Sequence, residues 1–137
     1  MLKPLLTKSE IKKSNNLELL NQDGWLEWKI QSTCKTIFEK WLMEKKLEGL
    51  FVQIDNGGRM GIGQRNKKKL EGTVSGFPDV MLLVEGGKQI FVEFKKIDGK
   101  IDAKQLIMEQ KLYALGFKSY MINNTLYFRR ILEEIND

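Results

Sequence analysis

The sequence predicts a mixed α/β domain, ordered as a helix, three strands, a second helix and one or two further strands. Three observations carry that expectation. Over residues 25–46, "WLEWKIQSTCKTIFEKWLMEKK", Ile30, Cys34, Ile37, Phe38 and Trp41 recur at three- and four-residue spacing, the period of a half-buried helix. At 79–84 and 89–95 the apolar runs "DVMLLV" and "QIFVEFK" flank "EGGK", whose two glycines suit a hairpin turn. From 102 to 116, "DAKQLIMEQKLYALG" opens on Asp102 with Gln105 three residues later, a capping-box pattern, and closes on Gly116.

The remaining elements follow in order. Residues 1–24 are polar and weakly patterned, an N-terminal arm or a short helix; residues 25–137 form a single domain. The helix at 25–46 ends on Lys45 and Lys46, before Gly49. "LFVQI" (50–54) is a short strand. Residues 55–77 are glycine-rich, lack an apolar period and concentrate Arg59, Arg65, Lys67, Lys68 and Lys69. Such a loop is either a solvated tip or a mobile basic flap over a phosphate backbone. In the helix at 102–116, Met108, Leu112 and Leu115 form the buried stripe. "KSYMI" (118–122) and "TLYFR" (125–129) read as strands around Asn123 and Asn124, and the tail as a short helix.

Composition excludes several chemistries. The 137 residues contain no histidine, which removes histidine general-base catalysis and His-metal sites. The single cysteine, Cys34, removes an internal disulfide and a multi-cysteine zinc site; its place on the helical stripe marks it as a small buried apolar residue. A net charge of +5 and a pI near 9.3 favour a polyanionic partner. No run approaches the ~18 apolar residues of a membrane span, and the first residues lack a signal-peptide pattern. The expectation is an intracellular protein with no membrane partner, whose chemistry rests on carboxylates, lysines, hydroxyls or an oxygen-bound metal.

One constellation stands out against the hydrophobic hairpin. Side chains alternate faces along a strand, so Glu93 and Lys95 share a face with Phe91, while Ile90, Val92 and Phe94 point into an apolar layer. Antiparallel pairing across the 85–88 turn brings Asp79 to the Glu93 end of its partner. Two carboxylates this close repel, and each is driven towards protonation unless a cation sits between them. A divalent metal with a lysine beside it suits hydrolysis of a phosphodiester. An ion-paired, solvated sheet face is the alternative. Glu27 projects from the buried side of the first helix near its N-terminus, where interaction with the helix dipole and a role in the site are equally compatible with its spacing. Gln105 lies near the buried stripe of the second helix, where capping alone accounts for it.

The ordered string "GFPDVMLLVEGG" and "IFVEFKKIDGKIDAKQLIMEQKLYALGF" resembles the virus-type replication-repair nuclease (VRR-NUC) domain of the PD-(D/E)XK nuclease superfamily. Its parts are Gly76-Phe77-Pro78-Asp79, Glu93-Phe94-Lys95, Gly99-Lys100, Gln105 and Gly116. Upstream, "EWKIQ" (27–31) resembles the opening helix of the family and "DNGG" (55–58) its Asn-Gly element, so the resemblance spans 25–122. It implies a restriction-endonuclease-like αβββαβ core, with a mixed central sheet flanked by helices. It implies a DNA nuclease dependent on Mg²⁺ or Mn²⁺, with Asp79, Glu93 and the Phe94 backbone carbonyl as metal ligands and Lys95 as the catalytic lysine. Glu27 would complete the metal site and Gln105 support it. Arg59, Gln64, Arg65, Lys67, Lys68, Lys69 and Lys96 would contact the nucleic acid. The short chain resembles stand-alone phage and bacterial members, which implies a cytoplasmic enzyme of a bacterial or phage-infected cell. Branched or flap DNA is then the expected substrate and a homodimer the expected assembly, with Trp25, Trp28, Tyr127 and Phe128 as interface candidates that serve equally as core. A Holliday-junction resolvase is the narrower alternative, and a catalytically inactive nucleic-acid-binding module on the same fold is the alternative of another class.

Overall fold

The structure of the chain, a computed structural model, describes residues 3–54 and 61–135. In chain order its elements are α1 (Lys8–Ser14), α2 (Leu17–Gln22), α3 (Glu27–Lys45), β1 (Gly49–Gln53), α4 (Ile62–Leu70), β2 (Val80–Val84), β3 (Lys88–Phe94), α5 (Ala103–Ala114), β4 (Lys118–Ile122) and α6 (Thr125–Ile135). The four strands form one sheet in the order β1-β2-β3-β4. β1, β2 and β3 run antiparallel in a meander, and β4 joins β3 in parallel after the α5 crossover. The sheet is therefore mixed, as expected. No helix among the described residues is long and apolar enough to cross a membrane.

One face of the sheet carries the main core. Val80, Leu82, Val84, Ile90, Val92 and Phe94 pack there against Ile30, Cys34, Phe38 and Trp41 of α3 and against Phe128, Ile131 and Leu132 of α6. Cys34 is fully buried, and burial pushes its thiol far up, so it behaves as an apolar side chain. On the other face Phe91 meets Phe77 and Phe117 edge to face, with centroids 5.2 and 5.9 Å away. β3 is thus covered on both sides, so the Glu93 and Lys95 face is not the wet sheet surface that an ion pair would need.

Four sequence expectations change. The strand expected at 125–129 is the start of α6. Asn124 accepts a hydrogen bond from Tyr127 N–H at 2.8 Å, capping a helix whose Phe128, Ile131, Leu132 and Ile135 are buried at helical spacing. Local β propensity in "TLYF" loses to that stripe. Phe128 is consequently core, while Trp28 is 66% exposed. The loop expected at 55–77 contains α4, a helix with no buried residue whose Gly63 and Asn66 are poor helix formers; lacking an apolar period, it gave no pattern signal. Its DNGG segment lies outside the described residues. Leu115 is exposed rather than part of the buried stripe of α5, because it is the C-cap residue and the helix has already ended.

The N-terminal arm is two docked helices. Thr7 and Glu10 form a capping box on α1, and Asn16 caps α2 through Leu19 N–H. Leu6, Ile11 and Leu19 pack on Ile97 in a second small core. Buried Asn123 accepts from Leu6 N–H at 3.0 Å and donates to Leu6 C=O at 2.9 Å, reproducing a strand-like bridge with a side chain. Buried Gln22 accepts from Thr125 N–H at 3.1 Å. Polar pairing over more than a hundred residues of sequence, together with this small apolar cluster, holds this part down.

Candidate active site

Asp79 precedes β2, and three contacts fix it. Its carbonyl accepts from Ile54 N–H at 2.7 Å, which extends the β1–β2 ladder by one residue. Its Oδ2 accepts from Phe94 N–H at 3.0 Å. Ahead of it, Gly76 has φ +77° and no room for a side chain; a Cβ would stand 2.6 Å from Lys104 C=O. The Gly76-Phe77-Pro78 segment is therefore pressed against the first turn of α5. This clamps the approach to Asp79.

The register that pairs Val80 with Val92 puts Asp79 opposite Glu93. Glu93 is 5% exposed. Its Oε1 accepts from Gln105 Nε2 at 2.6 Å, and its buried Oε2 accepts from no donor among the described residues. Burial pushes the Glu93 carboxyl up. The Asp79 charge and a hydrogen bond to Asp79 push it further, Lys95 pulls it back, and Glu27 adds a final push; the result is about 8. At neutral pH and with no cation nearby, this carboxyl holds a proton shared towards Asp79.

Lys95 lies just past β3, where its N–H donates to Ile122 C=O at 2.8 Å. Lys95 is buried, and its charge acts on Glu93. Gln105 holds two groups at once: it caps α5, where its Oε1 accepts from Asp102 N–H at 3.4 Å, and it donates to Glu93. Glu27 sits exposed in the first turn of α3, near enough for its charge to reach Glu93. Among the described residues, no three His, Cys, Asp or Glu side chains stand together as a metal cage. The structure thus brings Asp79, Glu93, Lys95 and Gln105 together and leaves Glu27 at the margin.

The donor set fits a hard divalent cation. Two oxygen-bearing side chains converge, one with an orphaned buried oxygen that needs either a proton or a cation. Mg²⁺ commonly takes only one or two protein carboxylates and fills its octahedron with waters and substrate oxygens. Asp79 and Glu93 would hold it, and the Phe94 carbonyl and Glu27 are the further ligands that the sequence resemblance implies.

The basic residues are placed unevenly. Gln64, Arg65, Lys67 and Lys69 are exposed on α4, Lys68 is half-buried there, and Lys96 is exposed next to Lys95. Arg59 lies outside the described residues. Sequence reasoning missed Gln53, which pairs with Val80 and so ends beside Asp79. A strand-end glutamine carries no signal until the β1–β2 register is known.

A solved structure described as a VRR_NUC domain is similar to this chain, with a TM-score of 0.56 and 22% sequence identity over 78% of this chain and 94% of that one. The fold that the sequence resemblance implied is the fold observed. No protein-family model and no curated protein matches the chain.

Proposed function

We propose that this chain is a divalent-metal-dependent nuclease that hydrolyses phosphodiester bonds in DNA. One observation carries the reading: a buried Glu93 with an unpartnered oxygen, set against Asp79 and beside a buried Lys95. Burying a carboxyl and an ammonium beside a half-buried Asp79 is costly for a structural role, because apolar side chains would pack the same sheet face without desolvating charge. A site for a cation and a phosphate accounts for all three.

A bound Mg²⁺ or Mn²⁺ would polarise the phosphodiester and lower the pKa of a water. The residues of the chain do the rest. Asp79 is held in orientation by Phe94 N–H, and Glu93 by the Gln105 amide. Lys95 orients the attacking water and offset charge gathering on the phosphoryl oxygens. As the water oxygen forms its bond to phosphorus it gives up a proton to solvent, the P–O bond to the leaving ester oxygen breaks, and that oxygen takes a proton from solvent. The cationic face of α4 attracts the backbone without reading sequence.

The test is cleavage of plasmid, single-stranded, flap and four-way-junction DNA with Mg²⁺ or Mn²⁺ and with chelator. Wild type cuts at least one substrate only with metal, and Lys95→Ala does not. Preference for the four-way junction, by a dimer, selects the resolvase form. Metal-independent DNA binding without any cleavage overturns the nuclease reading in favour of a binding module.

A further inference from the structure

A groove of about 370 Å³ lies between α3 and the edge strand β1, lined by Trp28, Gln31, Ser32, Lys35, Phe51 and Gln53. The four α3 residues fall at i, i+3, i+4 and i+7, a single stripe about 10 Å long on the helix. The stripe begins one residue after Glu27. Across the groove, Gln53 pairs with Val80, the neighbour of Asp79. The groove therefore runs away from the carboxylates along one edge of the sheet.

Its lining is unlike the other aromatic contacts of the chain. Trp25 has the Lys29 ammonium over its ring at 5.2 Å, and Phe38 stacks with Trp41. Trp28 is 66% exposed and makes no ring contact among the described residues. The Gln31 and Gln53 amides likewise have no hydrogen-bond partner among the described residues. An aromatic face, two unengaged amides and a lysine, itself 3.9 Å from Glu39, line one concave strip on the α3 side of the sheet, at the edge strand whose end pairs next to Asp79.

We infer that this groove seats an unpaired nucleobase of the DNA strand being cut, stacked on Trp28. The inference rests on the nuclease reading above and adds a strand-state preference to it. A base inside a duplex has both π-faces covered by its neighbours, so away from duplex ends only an unpaired base offers one to Trp28. Gln31 and Gln53 carry both donors and acceptors and suit the edge of any base, and Lys35 meets the adjoining phosphate. Trp28 acts here as a determinant of specificity for single-stranded segments next to the scissile bond.

The test is equilibrium binding of labelled oligonucleotides in chelator, where cleavage does not intervene. The probes are a single strand and a blunt duplex of the same sequence. Trp28→Ala weakens single-strand binding roughly tenfold and duplex binding less than twofold. Trp28→Phe, which keeps a π-face, recovers most of the single-strand affinity. Equal losses on both probes, or no loss on either, overturn the inference. So does a change of sedimentation state in Trp28→Ala, which makes the groove a subunit interface. Because the readout is binding, a wild type that cuts DNA while Trp28→Ala binds normally sinks the subsite alone. A wild type that cuts nothing but binds single strands through Trp28 sinks the nuclease reading alone.

Discussion

Gln105 Nε2 donates to Glu93 Oε1 at 2.6 Å, while the Oε1 of the same amide accepts from Asp102 N–H at 3.4 Å. One side chain thus ties the first turn of α5 to the carboxyl in the middle of the candidate site. The capping box explains why a glutamine stands at that position of the helix. It does not explain the contact to Glu93, which requires β3 and α5 to be packed together.

Gln105→Ala is expected to act through Glu93. Losing the partner of a ligating carboxylate typically lowers metal affinity by about 10–100-fold. A metal titration of the cleavage rate shifts to higher Mg²⁺ or Mn²⁺, with much of the maximal rate recovered at saturation. A lowered maximal rate with an unmoved metal midpoint contradicts the positioning role.

Asp79 is both a candidate ligand and the acceptor for Phe94 N–H. Asp79→Ala orphans that amide and destabilises the fold by about 1–3 kcal/mol. Asp79→Asn keeps an oxygen acceptor for Phe94 N–H. It is expected to melt closer to wild type than Asp79→Ala does, and still to cut nothing. Thermal melts of the pair, read beside cleavage, separate structure from chemistry; residual metal-dependent activity in Asp79→Asn argues against the site.

The raised Glu93 carboxyl makes stability depend on pH. Between an unfolded value near 4.5 and the folded value near 8, the folded chain holds a proton that the unfolded chain has released. The stabilisation is complete below the lower value and is lost as pH rises through the upper one. Metal-free protein therefore melts at progressively lower temperature across this window. Added Mg²⁺ or Mn²⁺, which displaces the proton, stabilises more at pH 8.5 than at pH 6. Glu93→Gln flattens both trends, and a wild-type melting profile independent of pH across this window speaks against the buried, protonated carboxyl.

No side chain of α4 is buried, so its charges can be changed without touching the core. Replacing Arg65, Lys67 and Lys69 together by glutamine leaves the melting temperature within a degree or two. DNA binding weakens on every sequence alike, and the log–log salt slope falls by up to about 3. An unchanged slope removes α4 from the DNA surface.

Asn123 links the N-terminal helices to the end of β4. Asn123→Ala leaves the buried Leu6 N–H and C=O without partners, at about 1–3 kcal/mol for each orphaned group. Denaturant melts should show that loss, and hydrogen exchange should show α1 and α2 released first. Unchanged protection of those helices contradicts the latch.

Much of the candidate site was legible in the chain. The alternation of β2 and β3 and the two-glycine turn fix which residues face each other, so Asp79 opposite Glu93 follows from counting. The capping box marks Gln105, and the helical stripe of α3 marks the core with Cys34 inside it. These signals are local: they depend on periods of two or 3.6 residues and on caps read within a few positions.

Tertiary structure decided the rest. In "TLYFR" local propensity favours a strand, but the stripe that makes α6 extends past it to Ile135 and has value only when packed against α3 and the sheet. The N-terminal helices are held by Asn123 and Thr125, more than a hundred residues away, through side-chain bonds with no periodic signature. The placement of Trp28 beside Gln53 depends on which strand takes the sheet edge. The state of Glu93 is also a tertiary property: a carboxyl is ordinary by sequence, and burial beside Asp79 is what pushes it up to about 8. Sequence determines which charges the hairpin carries, and packing determines how far water is kept from them.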